Sequence, residues 1–231
     1  LNQTIINMKH SSTKPSHDHQ SNADTVIYDM KSGWQAWTPL TRKQSIITMG
    51  GIMLAIFLAS LDQTIVATAI PKIVGSLGGF DRFSWVTTSY LVASTAIIPI
   101  VGKFSDIYGR RTFFLVGIAI FIVGSLLAAI STNMSQLIAF RAIQGVGGGT
   151  LMSCAFIAVG DLYPPAERGK YMGYLAGIFA LSSIIGPITG GVLTDSFSWR
   201  WVFLINIPLG IPIGLIFLFV FPKIYLTVQP I

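Results

Sequence analysis

Two charged residues sit where the sequence offers them no water. Asp62, in LDQTIVATAIP, lies near the end of an apolar run that starts near Ile46, and Arg141, in LIAFRAIQGVGGG, lies within another. A charge in hydrocarbon costs at least about 2.5–3.5 kcal/mol and usually faces a cavity or an opposite charge. Burial disfavours the charged form of a carboxylate, so such a group can be loaded and unloaded with a proton. The chemistry open to Asp62 is therefore that of a proton or substrate site. The plainer alternative is a structural ion pair holding two helices in register. Gln144 follows Arg141 by three positions and shares its helix face.

A second constellation is GKFSDIYGRR at 102–111. Its glycines allow a tight turn between two helices, and Asp106 can either cap the next helix or accept hydrogen bonds from Arg110. The plain reading is a basic turn. Farther on, SSIIGPITGG spaces small residues four apart, which forms a packing seam between helices. Pro187 within it removes a helix hydrogen bond and is expected to kink the rod.

The elements that must position these residues follow from composition. The chain has 231 residues, of which 52% are hydrophobic and 10% charged, and its mean hydropathy is +0.67. A soluble domain carries roughly 25% charged residues, so a membrane protein is expected. Six apolar segments, near 46–70, 84–105, 112–131, 134–160, 171–194 and 200–221, each approach the roughly 20 residues a bilayer requires. They are too long and too continuous for strands. Residues 1–43 are polar and read as a disordered cytoplasmic tail, 44–223 as a six-helix transmembrane domain, and 224–231 as a truncated tail. Basic residues cluster on one side of the spans: Arg42 and Lys43, then Lys103, Arg110 and Arg111, then Arg168 and Lys170. The other side carries Lys72, Arg82 and Arg200. This asymmetry predicts both termini in the cytoplasm.

Other classes find little support. The net charge of +6 has no Lys/Arg stripe behind it, so no nucleic-acid partner is expected. The single cysteine, Cys154, rules out a disulfide within the chain. His10, His17 and His19 sit in the polar tail and predict no metal site. Asn2-Gln3-Thr4 and Asn133-Met134-Ser135 are sequons, the first on the cytoplasmic side and the second hard against a helix end, so neither is expected to carry a glycan. No phosphate-binding loop is present, and neither a cofactor nor enzymatic activity is expected.

Taken with their order, these motifs resemble the major facilitator superfamily, specifically its fourteen-helix drug:proton antiporter branch. Leu61, Asp62, Thr64, Val66, Ala69 and Pro71 match that branch's first-helix motif, with Ala67 in place of an asparagine. Gly102, Asp106, Gly109, Arg110 and Arg111 match the loop between the second and third helices, with Phe104 in place of the usual leucine. Leu137, Arg141, Gln144, Gly145, Gly147, Gly148 and Gly149 resemble the fourth-helix motif. Gly186, Pro187, Gly190 and Gly191 resemble the antiporter motif of the fifth helix, with Ser182 in place of its first glycine. PAERGKY and WRWVFLINIP look like the connectors around that helix.

The resemblance implies an all-α membrane fold in which six helices, as two inverted three-helix repeats, form an N-terminal half. It implies proton-coupled export of small, amphipathic or cationic compounds by the intact protein, with Asp62 and Arg141 in proton coupling. Matched spans end after LIFLFVFPKI, so the sequence is expected to be a truncated half whose C-terminal partner half is absent. The rival expectations are a vacuolar basic amino-acid or other small-solute carrier of the same fold, and a non-transporting six-helix membrane partner. A plasma-membrane location is expected, with the vacuolar membrane as the alternative.

Overall fold

A computed structural model describes residues 42–219; the expected tails, 1–43 and 224–231, lie outside the described residues except for Arg42 and Lys43, which begin the first helix. The elements are α1 (Arg42–Leu77), α2 (Ser84–Tyr108), α3 (Arg110–Ala129), α4 (Met134–Leu162), α5 (Pro165–Ser196), α6 (Trp201–Leu204) and α7 (Asn206–Phe219). No strand occurs among the described residues. Among the described residues, six helical segments are long and apolar enough to cross a membrane, the sixth being α6 and α7 together.

The main departures of the boundaries from the sequence reading are three. The first helix begins at Arg42 and runs through Pro71 to Leu77, whereas its span was expected to end at Ile70. A proline inside a membrane helix forfeits one hydrogen bond, and neighbouring helices make that tolerable. The fifth helix starts at Pro165 and continues unbroken through the exposed Pro187. The sixth span is interrupted at Ile205.

Caps and turns follow from local chemistry. Asn133 caps α4 by accepting from the Gln136 amide at 2.9 Å, while the Gln136 side chain accepts from the Thr132 amide at 3.0 Å. That reciprocal arrangement satisfies backbone donors on both sides of the helix start. Gly109 turns α2 into α3 with φ 86°, a conformation that costs a residue with a Cβ far more than it costs glycine.

Packing reveals the internal symmetry. α2 lies along α4, and α5 lies along α1. α3 packs on α4 and on the α6–α7 span, which in turn packs on α1. Exchanging the first three spans for the last three maps these contacts onto one another, as two inverted three-helix repeats require.

Two apolar clusters fill the bundle. One contains Ile52, Ile56, Tyr90, Phe114, Phe121, Leu151 and Phe217. The other contains Leu61, Ile65, Val86, Leu137, Trp199 and Phe203. Between them, each of four helices contributes buried polar groups: Asp62 on α1, Ser125 on α3, Arg141 and Gln144 on α4, and Asn206 on α7. This polar layer inside an apolar bundle is the candidate site.

Candidate functional site: a buried polar layer

Asp62 is 0% exposed and Arg141 is 1% exposed. Arg141 Nη1 donates to Asp62 Oδ2 at 2.6 Å and to Gln144 Oε1 at 2.7 Å. Gln144 Nε2 donates to Asp62 Oδ1 at 2.8 Å, and Asn206 Nδ2 donates to the same oxygen at 2.8 Å. Ser125 Oγ accepts from Asn206 at 2.9 Å and from Gln144 at 3.2 Å, and donates to the Phe203 carbonyl at 2.8 Å. Arg141 Nε reaches the Val86 carbonyl at 3.4 Å, and the Tyr90 ring lies 4.3 Å from its Cζ. The carboxylate thus receives three side-chain donors, one of them a guanidinium. That suits an ionised group, because charge-assisted bonds are the strong ones.

Glycines make this proximity possible. A Cβ at Gly145 would fall 2.5 Å from the Tyr90 carbonyl oxygen, and one at Gly147 would fall 2.5 Å from the Phe121 nitrogen. At Gly124, a Cβ would meet Gln144 Cα at 2.6 Å. The GVGGG run therefore lets α2 and α3 approach α4 from two sides, which carries Tyr90 over Arg141 and Ser125 against Gln144.

Asp62 and Arg141 meet directly, although they approach from the ends of different helices. Asp62 lies fifteen residues before the end of α1. Arg141 lies seven residues after the start of α4.

The second constellation gathers at the turn between α2 and α3. Arg110, 5% exposed, donates from Nε to Asp161 Oδ2 on α4 at 2.8 Å, pairs with Asp106 and hydrogen-bonds Ser105. Of the two roles open to Asp106, the arginine contact is therefore the one made; the α3 N-cap is Gly109, with no side-chain cap bond. Arg111 hydrogen-bonds the Leu218 carbonyl. A Cβ at Gly102 would meet nothing within 4 Å, so packing among the described residues does not require that glycine.

In the α1–α5 seam, Ser60 donates to Ser182 Oγ at 2.7 Å and Thr64 donates to the Ser182 carbonyl at 3.1 Å. A Cβ at Gly186 would strike Thr64, and one at Gly190 would strike Thr68. Gly191, by contrast, faces open space, so the seam is Ser182, Gly186 and Gly190.

Sequence reasoning missed Asn206, Ser125, Tyr90 and Asp161. Asn206 and Asp161 carried a usable signal, an amide inside LINIP and a carboxylate at the end of the fourth span. Polar side chains at membrane depth are functional candidates by default.

A sequence model of the Major Facilitator Superfamily matches residues 52–228. The chain belongs to that superfamily. Among its relatives are "Multidrug resistance protein 3" of Bacillus subtilis, 54% identical over 160 residues, and "Efflux pump dotC" of Dothistroma septosporum, 42% identical over 174 residues. The first alignment covers 69% of this chain and 31% of the relative; the second covers 75% and 30%. The chain thus spans about a third of the length of these relatives. A solved D-xylose-proton symporter superposes with a TM-score of 0.68 at 14% identity, covering 78% of this chain and 48% of the symporter. At that identity the likeness speaks for the fold, which is that of a multi-pass membrane protein.

Proposed function

We propose that the intact protein exports small organic compounds in exchange for protons, with Asp62 as the proton site and Arg141 as its modulator. The observation that carries this reading is the carboxylate at the centre of the polar layer, ligated by Arg141, Gln144 and Asn206. The names of the relatives, a multidrug resistance protein and efflux pumps, support export of drug-like compounds.

The mechanism follows from charge. While ionised, Asp62 balances Arg141 and holds α1, α4 and α7 together. A hydronium ion gives its proton to the carboxylate, leaving water, and Arg141 then retains Gln144 Oε1 and the Val86 carbonyl as neutral acceptors. The freed guanidinium exchanges partners as the bundle moves, so proton occupancy biases which side of the membrane the cavity faces. A second half would complete that cavity. The exposed apolar residues of α2 (Leu91, Val92, Ile98) and α5 (Ile184, Ile188, Val192) are where it or lipid would lie. The Gly109 turn, with its basic residues, faces the cytoplasm in this reading, and the plasma membrane is the favoured location.

A complete transporter containing this half, reconstituted in vesicles, tests the proposal. An imposed proton gradient should drive a lipophilic cationic dye uphill, and collapsing the gradient with a protonophore should stop it. Uphill movement of a basic amino acid with no movement of the dye would favour the amino-acid carrier instead.

A further inference from the structure

Asn206 has one end of its amide committed and the other free. Its Nδ2 serves both Asp62 Oδ1 and Ser125 Oγ, while its Oδ1 is buried with no hydrogen-bond partner among the described residues. Leaving a buried acceptor unmade is unfavourable, so this atom calls for an explanation. Among the described residues, the one other buried side-chain nitrogen or oxygen in that condition, Thr48 Oγ1, lies fourteen residues before Asp62 on the same helix, roughly 21 Å away at the helical rise.

The network as it stands suits only the ionised carboxylate. A protonated Asp62 becomes a donor at one oxygen and needs an acceptor there. Gln144 cannot turn to provide it, because its Oε1 is held by Arg141 and a turned amide would aim Nε2 at the guanidinium. Asn206 carries no such lock. A half-turn of its amide exchanges Nδ2 for Oδ1, and the oxygen then accepts from the Asp62 acid. Ser125, whose hydroxyl now serves the Phe203 carbonyl, can swing to donate to the same oxygen. One polar end of the amide is unpaired in either orientation, so neither state is strongly preferred on that account.

We propose that Asn206 is a positioning residue of the proton site, whose amide turns over when Asp62 is loaded and so couples that event to the interrupted sixth span. The turn of the amide draws the Ser125 hydroxyl away from Phe203, two residues before the interruption at Ile205. The proton step is simple: a hydronium ion gives its proton to Asp62 Oδ1, an O–H bond forms, and water is left. The ionisable groups facing Asp62 are Arg141 on α4 and Tyr90 on α2, which stack on one another. The residues facing it from α3 and α7, Ser125 and Asn206, do not titrate. Charged residues on α5 lie only near its ends, at Glu167, Arg168, Lys170 and Asp195. This inference rests on Asp62 being the proton site.

Infrared difference spectroscopy of the reconstituted chain, labelled with isotopic asparagine, tests both levels separately. The acid carbonyl band of Asp62 is assigned by its loss in Asp62→Asn, and the amide band of Asn206 by its loss in Asn206→Leu. In the unsubstituted chain the Asn206 band should shift with the same midpoint as the Asp62 band rises. In Asn206→Leu the ionised state loses a charge-assisted bond while the acid loses a weaker neutral one. The Asp62 midpoint should therefore move upward by about one pH unit, a tenfold gain in proton affinity. An Asn206 band that stays flat while Asp62 titrates would overturn this inference and leave the proton site standing. An unmoved midpoint in a folded Asn206→Leu chain would do the same. If no Asp62 acid band appears at any pH, the proton site itself falls.

Discussion

Replacing Arg141 with methionine keeps the aliphatic stem and removes the charge. Asp62 then stays buried with Gln144 and Asn206 as its remaining donors. Removing one partner of a fully buried pair costs about 3–5 kcal/mol, because the surviving charge is left uncompensated. For a chain of this size that corresponds to a fall of about 6–20 °C in melting temperature. Cys154 gives a direct assay, since it is the only cysteine and is buried. A thiol-reactive fluorophore should label it only as the detergent-solubilised chain unfolds. Adding Asp62→Asn to Arg141→Met should recover much of the loss, because the amide needs no counter-ion. A loss below about 1 kcal/mol, the range of exposed pairs, would refute the claim that these charges depend on each other. So would a double variant no more stable than Arg141→Met.

Three further outcomes are expected. Gly145→Ala should lose about 1–3 kcal/mol in the same melting assay, since its Cβ meets α2 backbone at 2.5 Å, whereas Gly102→Ala should be neutral within about 0.5 kcal/mol. Arg110→Ala should cost about 1–2 kcal/mol, less than Arg141→Met, because the Asp161 and Asp106 side chains are 21% and 50% exposed and water screens the loss. Reporter fusions within STNMSQ and after Lys223 should report the exterior and the cytoplasm respectively; an external signal from the second would overturn the orientation.

The pair at the heart of the site was legible because charges stand out in apolar runs, and Gln144 followed from its helical spacing to Arg141. The glycine run was legible as a packing feature, though only the structure shows that it admits α2 on one side and α3 on the other. Helix ends were less legible. The sequence reading ended the first span near residue 70, yet α1 runs through Pro71 to Leu77, because tertiary neighbours decide whether a proline ends a membrane helix. Asn206 escaped because its contact with Asp62 joins residues 144 apart in the chain, and no local periodicity encodes that distance. Asp161 escaped for the same reason, its partner Arg110 lying 51 residues away.

The central claim is that Asp62 carries the coupling proton. It is tested most directly by Asp62→Asn in a complete transporter containing this half, assayed in vesicles with and without an imposed proton gradient. The expected result is that the variant still binds substrate, without pH dependence, and carries it only downhill, with no response to the gradient. If Asp62→Asn still accumulates substrate uphill at the expense of a proton gradient, Asp62 is a structural counter-ion to Arg141 and the proton is carried elsewhere.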